Sequence, residues 1–498
     1  MPSLFRVSYL SILFVMASRA LVSFFFARGA LASNTIGIAR KIGVARPFDG
    51  RSRSRQSHCF SMSSGWTKCV GLFLPYPKEE ISGLKKRLSS GAPLCLRMPY
   101  CWKQLDWKHT DPPIDSWTCP YKKPLRFYQF SFHDVGMAMS STLIEKGLNS
   151  VGQASHEVYL CNCKHAAQAR VTYKYAFKTC PNSKHLECSW AVPYSKATAA
   201  RYTRIYKNDL HFQKADALLF SFSPSMFEHW MDLNKTIILE AWHVVNLHRC
   251  SHNASRSTFE RVQQLADMSV SRRHIVGAKS LYHWEYIRHY TGILPVFLPA
   301  TLLDALRGIS YSPSRPEFIW RSHRSLPPGA PPNLIKPQRY NHVSELTAYR
   351  GAVVLPYSVN SGKVVELYAM NIPLFLPTIR FGKQFMNDRT AVGRPYCPKF
   401  TAESHPKRHP TSPYNEWSPN SDSPKDIEFW MGFQDELNHW PCVEHFDSWD
   451  ELYVLVRAGS KRLRDISACM KQANKWRRFE ELQNWCWVTG YISGDAAQ

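Results

Sequence analysis

The sequence predicts an α/β protein of two Rossmann-like lobes with a cleft between them. Short apolar runs bounded by polar residues alternate with stretches of helical period, the pattern of a layered α/β fold. The alternation runs twice, once before and once after a break near residue 300. The chain has 498 residues, 44% hydrophobic and 13% aromatic, which excludes a disordered chain and leaves apolar surface for two large cores.

In the first lobe, Leu-Arg-Phe-Tyr-Gln-Phe-Ser-Phe from Leu125 reads as an aromatic strand. After His133-Asp134-Val135-Gly136, the residues Met137, Ser140, Ser141, Leu143 and Ile144 predict a helix that ends at Lys146-Gly147. Residues 217–222 and 236–239 are short apolar runs suited to buried parallel strands. Phe259, Val262, Leu265, Ala266 and Met268 recur at helical spacing, residues 274–278 give another strand, and a short helix over 282–289 closes at Thr291-Gly292.

The second lobe opens with the strand Phe318-Ile319-Trp320 and a proline-crowded loop over 322–339. Residues 344–349 are helical by composition, 351–355 form a buried strand stopped by Pro356, Ser361-Gly362 opens a helix over 363–370, and 372–376 is the following strand. Residues 397–425, dense in Pro, Ser, His and Asn, read as an inserted surface loop. Amphipathic helices are expected over 449–456 and 461–475. The organisation is therefore a basic amino-terminal segment (1–58), a first lobe with many cysteines (59–299), a second lobe (300–465) and a helical carboxy-terminal segment (466–498).

The formal net charge of +25 favours an anionic partner. Residues 1–58 hold nine Lys or Arg and one acid, Asp49, so part of the excess belongs to that segment. There Arg6 precedes an apolar run over 7–27 broken by Arg19, and Ala30-Leu31-Ala32 offers a small-residue cleavage pattern. This is a secretory signal or a single signal anchor, which places the protein in the Golgi or ER lumen. The Arg- and Ser-rich stretch over 18–58 keeps an organelle import peptide open as the alternative. Only this one segment approaches a bilayer span, so a polytopic membrane protein is excluded.

Fourteen cysteines favour an oxidising compartment and disulfides. A zinc site at Cys161-Asn162-Cys163 with Cys180, Cys188, His165 and His185 is the weaker reading, because one intervening residue is tighter than the usual ligand spacing. Asn234-Lys235-Thr236 and Asn253-Ala254-Ser255 are glycosylation sequons. No zinc-finger, ribonucleoprotein or phosphate-loop motif supports a nucleic-acid partner.

The stretch 349–377 carries the chemistry. A buried strand, a turn over 356–360 and a small-residue helix start at Ser361-Gly362 suit a nucleoside diphosphate, because helix N–H groups and the positive dipole end bind phosphate oxygens. Lys363 adds charge, and Glu366 can accept hydrogen bonds from ribose hydroxyls. The bland alternative is a capped helix on a strand with a solvated Glu and Lys.

Glu366-Leu-Tyr-Ala-Met-Asn-Ile-Pro373, followed by Leu-Phe-Leu-Pro377, resembles the donor-site signature of GT-B glycosyltransferases, with a glutamate opening a helix and a proline seven residues on. In order and topology the resemblance extends over about 125–487. Ser358 stands where many retaining members carry a second glutamate, and Asn371 stands where glycine is usual, so inversion and retention both stay open.

The resemblance implies metal-independent glycosyl transfer from a nucleotide-sugar donor to a glycan, lipid or protein hydroxyl, with no cofactor and no metal ligands. It makes Arg321 and Arg324 candidates for the diphosphate alongside Ser361, Gly362, Lys363 and Glu366. An inverting reaction needs a general base, for which His133 with Asp134 is the first candidate, and His243 and His248 are second choices. The alternative of a different class is a non-catalytic two-lobe binding protein, lectin-like or a scaffold, with a degenerate donor site.

Overall fold

In the computed structural model, the first sheet is a run of seven parallel strands that positions everything in the amino-terminal lobe. The structure describes residues 99–496 apart from 132–133, 153, 162–170, 180–193, 222–223, 243–253, 323, 338–339, 341, 356–360, 386–406, 415–416, 420 and 422. The sheet is built from β1 (Arg126–Phe130), β2 (Glu157–Cys161), β3 (Lys178–Thr179), β4 (Ala217–Ser221), β5 (Thr236–Ala241), β6 (Ile275–Ala278) and β7 (Val296–Phe297). Their order is β3-β2-β1-β4-β5-β6-β7. β4 is buried at every position and β5 at all but its first, as expected for strands covered on both faces. β2 lies on one side of β1 and β4 on the other, so the winding reverses at β1, and in such sheets the loops at that point form the ligand crevice.

Helix α1 (Asp134–Thr142) leaves the carboxyl end of β1. It does not stop at Gly147, as the sequence suggests, because the chain continues helically through Leu143–Leu148 and Asn149–Val151. The glycine serves a close approach instead of a cap: a Cβ there would sit 2.7 Å from Asp304 Oδ2. Among the longer helices of the lobe are α2 (Lys196–Tyr206), α3 (Ala254–Asp267) and α4 (Leu281–Thr291). α4 ends as its sequence indicates, with Gly292 left-handed at φ 72°.

The second sheet is β8 (Phe318–Arg321), β9 (Leu334–Ile335), β10 (Gly351–Val354), β11 (Leu374–Pro377) and β12 (Glu444–Phe446), in the order β12-β11-β10-β8-β9 and parallel throughout. Here the winding reverses between β8 and β10, whose register pairs Arg321 with Val354. Helix α5 (Gly362–Ala369) follows β10, α6 (Pro424–Met431) brings Trp430 against Tyr282 of α4, and α7 (Trp449–Leu455) follows β12. The fold is thus α/β with two Rossmann-like lobes.

The last helix, α8 (Ser460–Ser493), is much longer than the expected 461–475. Its first half is amphipathic, but from Trp476 to Ile492 nearly every side chain is buried. Polar residues there break the helical pattern in sequence, and several are accommodated by specific partners. Asn484 donates to the carbonyl of Phe297 (2.7 Å), Arg477 to that of Ala300 (3.0 Å), and Glu480 accepts from the backbone N–H of Tyr100 (2.9 Å). Cys119, ahead of β1, is bonded to Cys486 on α8, and Cys442 to Cys469 at its start. Cys101 and Cys161 are also in disulfides, which removes Cys161 from the zinc alternative. Among the described residues no helix is long and apolar enough to cross a membrane. The signal or anchor over 7–27 lies outside them.

Candidate functional site

The reversal point of the second sheet brings Arg321 together with the helix start that carries Ser361, Gly362, Lys363 and Glu366. Arg321 is the last residue of β8, and its carbonyl accepts from the N–H of Leu355 beyond β10 (3.1 Å). Ser361 caps α5 through its backbone, accepting from the N–H groups of Val364 (3.0 Å) and Val365 (3.2 Å), while its side chain makes no capping bond. Val364, Val365, Leu367 and Tyr368 bury the helix, and this orientation carries Lys363 and Glu366 to one side together.

Glu366 is only 2% exposed, so the solvated glutamate of the bland alternative is not what the fold makes of it. Lys363 Nζ bonds to Oε2 of Glu366 and to the hydroxyl of Tyr340. The ammonium stays protonated, its pKa raised above the usual lysine range. Burial works against that charge, and the Glu366 carboxylate and the Tyr340 oxygen outweigh it. The Tyr340 ring also receives the Arg321 guanidinium at 5.1 Å and Lys363 Nζ at 5.0 Å. Nε and Nη2 of Arg321 are buried and find no hydrogen-bond partner among the described residues. Two cations therefore share one aromatic ring, and one of them holds unspent donors in a fork suited to phosphate oxygens. Arg324 lies three residues on, in a loop pinned by the Trp320 indole N–H donating to its carbonyl (3.1 Å).

Gly362 has a use beyond ligand approach. A Cβ there would lie 3.2 Å from Val135 and 3.4 Å from Trp242, so the start of α5 packs directly on the first lobe. Val135 follows β1 through α1, and Trp242 follows β5. The two sheets therefore meet through the carboxyl ends of their strands, which is where such folds hold ligands. A second contact crosses the same junction: the hydroxyl of Tyr173, from the first lobe, donates to Oε1 of Glu366 at 2.6 Å.

Not every candidate can be placed. His133, His243, His248 and the turn over 356–360 lie outside the described residues, and Asp134 opens α1 with its side chain outside them as well. Tyr173 and Tyr340 are absent from the sequence-based set. A signal for the first exists, since Tyr173-Lys-Tyr175-Ala-Phe177 alternates aromatic and other residues; Tyr340 follows a proline-rich loop and carries no local mark.

Asn371, at the position where the resembled motif has glycine, adopts φ 60°. Its side-chain oxygen accepts from Asn474 Nδ2 (2.9 Å), and the same amide donates to the carbonyl of Tyr368 (2.8 Å). The left-handed backbone is kept, and a hydrogen bond offsets part of the strain that a Cβ introduces.

No family model matches the chain, and no curated protein matches it. Among solved structures it is similar to CalG4, the calicheamicin glycosyltransferase, at 11% identity over 75% of this chain and 100% of that one, with a TM-score of 0.31. It is also similar to the glycosyltransferase of kitacinnamycin, at 12% identity over 73% of this chain and 99% of that one, with a TM-score of 0.35.

Proposed function

We propose that the protein is a glycosyltransferase that binds a nucleotide-sugar donor at the carboxyl end of the second sheet and transfers the sugar to an acceptor hydroxyl held by the first lobe. The observation that carries this reading is the buried fork of Arg321, unpartnered among the described residues and set over Tyr340 beside the Lys363–Glu366 pair, at the reversal point of a parallel sheet. Arg321 and the α5 N-terminus would take the diphosphate, and Glu366 the ribose. Transfer leaves a nucleoside diphosphate carrying the bonding electron pair of the broken glycosidic bond. Arg321 and Lys363 supply positive charge where that negative charge develops, so the reading requires no metal.

His133, one residue before α1, is the base that an inverting version would use to take the acceptor proton. Secretory placement accompanies the proposal. It is supported by the disulfides Cys119–Cys486 and Cys442–Cys469, the exposed sequon asparagine Asn234 and the character of residues 1–58.

The test is donor binding. The purified full chain is titrated with a panel of sugar nucleotides in chelator-treated buffer, beside Glu366→Ala and Arg321→Ala. The expected result is saturable binding of one nucleotide, abolished by Glu366→Ala and weakened at least about tenfold by Arg321→Ala, the worth of one charge-assisted hydrogen bond. A folded sample that binds none of the panel would leave the non-catalytic binding protein as the better account.

A further inference from the structure

Among the described residues, 171–179 are fastened to the first lobe at several points and reach the second through Tyr173. Tyr175 bonds through its hydroxyl to Glu145, Phe177 is buried, and Lys178 forms an ion pair with Glu157 at 3.0 Å. Thr179 pairs with Leu160 in the sheet. Between Tyr173 and Tyr175, Lys174 takes a left-handed φ of 48°, a conformation that costs a non-glycine residue energy and persists only where its surroundings hold it. That twist accompanies a divergence of the two tyrosines. Tyr175 stays on its own lobe, and Tyr173 reaches over to Glu366 of the other, 193 residues away in sequence.

Glu366 is the carboxylate assigned above to the ribose. A phenolic O–H donating to a carboxylate oxygen and a ribose O–H donating to it are the same interaction. We propose that Tyr173 is a gate residue whose hydroxyl holds, on Oε1 of Glu366, the place that a donor's ribose hydroxyl takes, so that the nucleotide enters as the strap of residues 171–179 releases the second lobe. This rests on the donor-site reading of Glu366. The contact also ties the two lobes together. Donor binding and lobe release are then one equilibrium, and the fraction of protein with Tyr173 engaged lowers the apparent affinity.

Tyr173→Phe keeps the ring and deletes the competing hydroxyl. The full-length wild type and Y173F are titrated with UDP, GDP and inorganic pyrophosphate, and amide hydrogen exchange of residues 171–179 and of α5 is followed without ligand. The expected result is faster exchange in Y173F and about tenfold tighter binding of UDP or GDP, with pyrophosphate binding unchanged because it carries no ribose. If UDP or GDP binds Y173F no better than wild type, the gate is overturned while the donor site stands. If neither protein binds a nucleoside diphosphate, the donor reading and the ribose mimicry fall together. Unchanged exchange in Y173F overturns the strap as a link between the lobes, whatever binds.

Discussion

Asn474 of the final helix donates to Asn371 at 2.9 Å, which couples the turn after α5 to an element that also packs on the first lobe. Helix α5 is therefore fixed from behind as well as by its own sheet. Arg477, one turn further along α8, lies 4.8 Å from the Tyr368 ring and 4.2 Å from that of Trp440, and donates to Asn474 Oδ1 at 3.1 Å.

Replacing Asn371 separates conformation from bonding. Asn371→Ala keeps the Cβ at a left-handed position and deletes the acceptor, so it should destabilise the protein by about 1–3 kcal/mol in urea unfolding. Asn371→Gly relieves the backbone while losing the same bond and should cost clearly less. Equal losses in the two variants would show that the backbone conformation contributes nothing.

The ion pair between Lys279 Nζ and Glu240 Oε1 at 2.6 Å is 2% and 0% exposed, and Ser140 donates to the other carboxylate oxygen at 2.5 Å. Lys279→Met leaves a buried carboxylate without its cation and should cost about 3–5 kcal/mol. The double variant Lys279→Met, Glu240→Gln should recover much of that loss, as read by thermal unfolding at neutral pH. A single variant as stable as wild type would contradict the account.

Glu481 gives stability a definite dependence on pH. Burial pushes its carboxyl from an ordinary 4.5 up to about 8, against the pull of Lys279 and the hydrogen bond from Thr301. Between those two values the unfolded chain has released the proton that the folded chain keeps, so stability falls as pH rises across the window and the loss is complete above about pH 8. His439 acts in the opposite sense at low pH. Burial holds it near 3, so stability is lost as pH falls from 6.5 toward that value. Glu481→Gln should raise the unfolding temperature by several degrees at pH 8 and leave it nearly unchanged at pH 5. Parallel wild-type and variant curves would show that the carboxyl is ionised in the folded state.

Much of this architecture was legible in sequence wherever burial on both faces wrote a continuous apolar run. β4 and β10 are of that kind, while α4 was legible by its closing Gly292. β3, β7 and β9, two residues each, are too short to carry a period, and they exist because a neighbouring strand offers its edge. α8 was half legible: Leu463, Ile466 and Met470 mark one face, but Glu480, Glu481, Gln483 and Asn484 read as solvent-facing and are buried. Their partners Tyr100 and Phe297 are 380 and 187 residues away, which no local window can see. The site divides the same way. Ser361, Gly362, Lys363 and Glu366 could be grouped from sequence because they lie within six residues of one another, whereas Tyr173 and Tyr340 reach Glu366 and Lys363 only through the fold.

The Cys119–Cys486 bond spans 367 positions, which gives the fold a schedule as well as a shape. During synthesis, Cys119 emerges from the ribosome long before its mate exists. Throughout that interval the surface of the first lobe destined for α8 is bare, and several earlier cysteines stand ready as wrong partners. Correct pairing of Cys119 must therefore await translation of residue 486, and a nascent chain halted before it can build the strands of both sheets without the clasp that locks them.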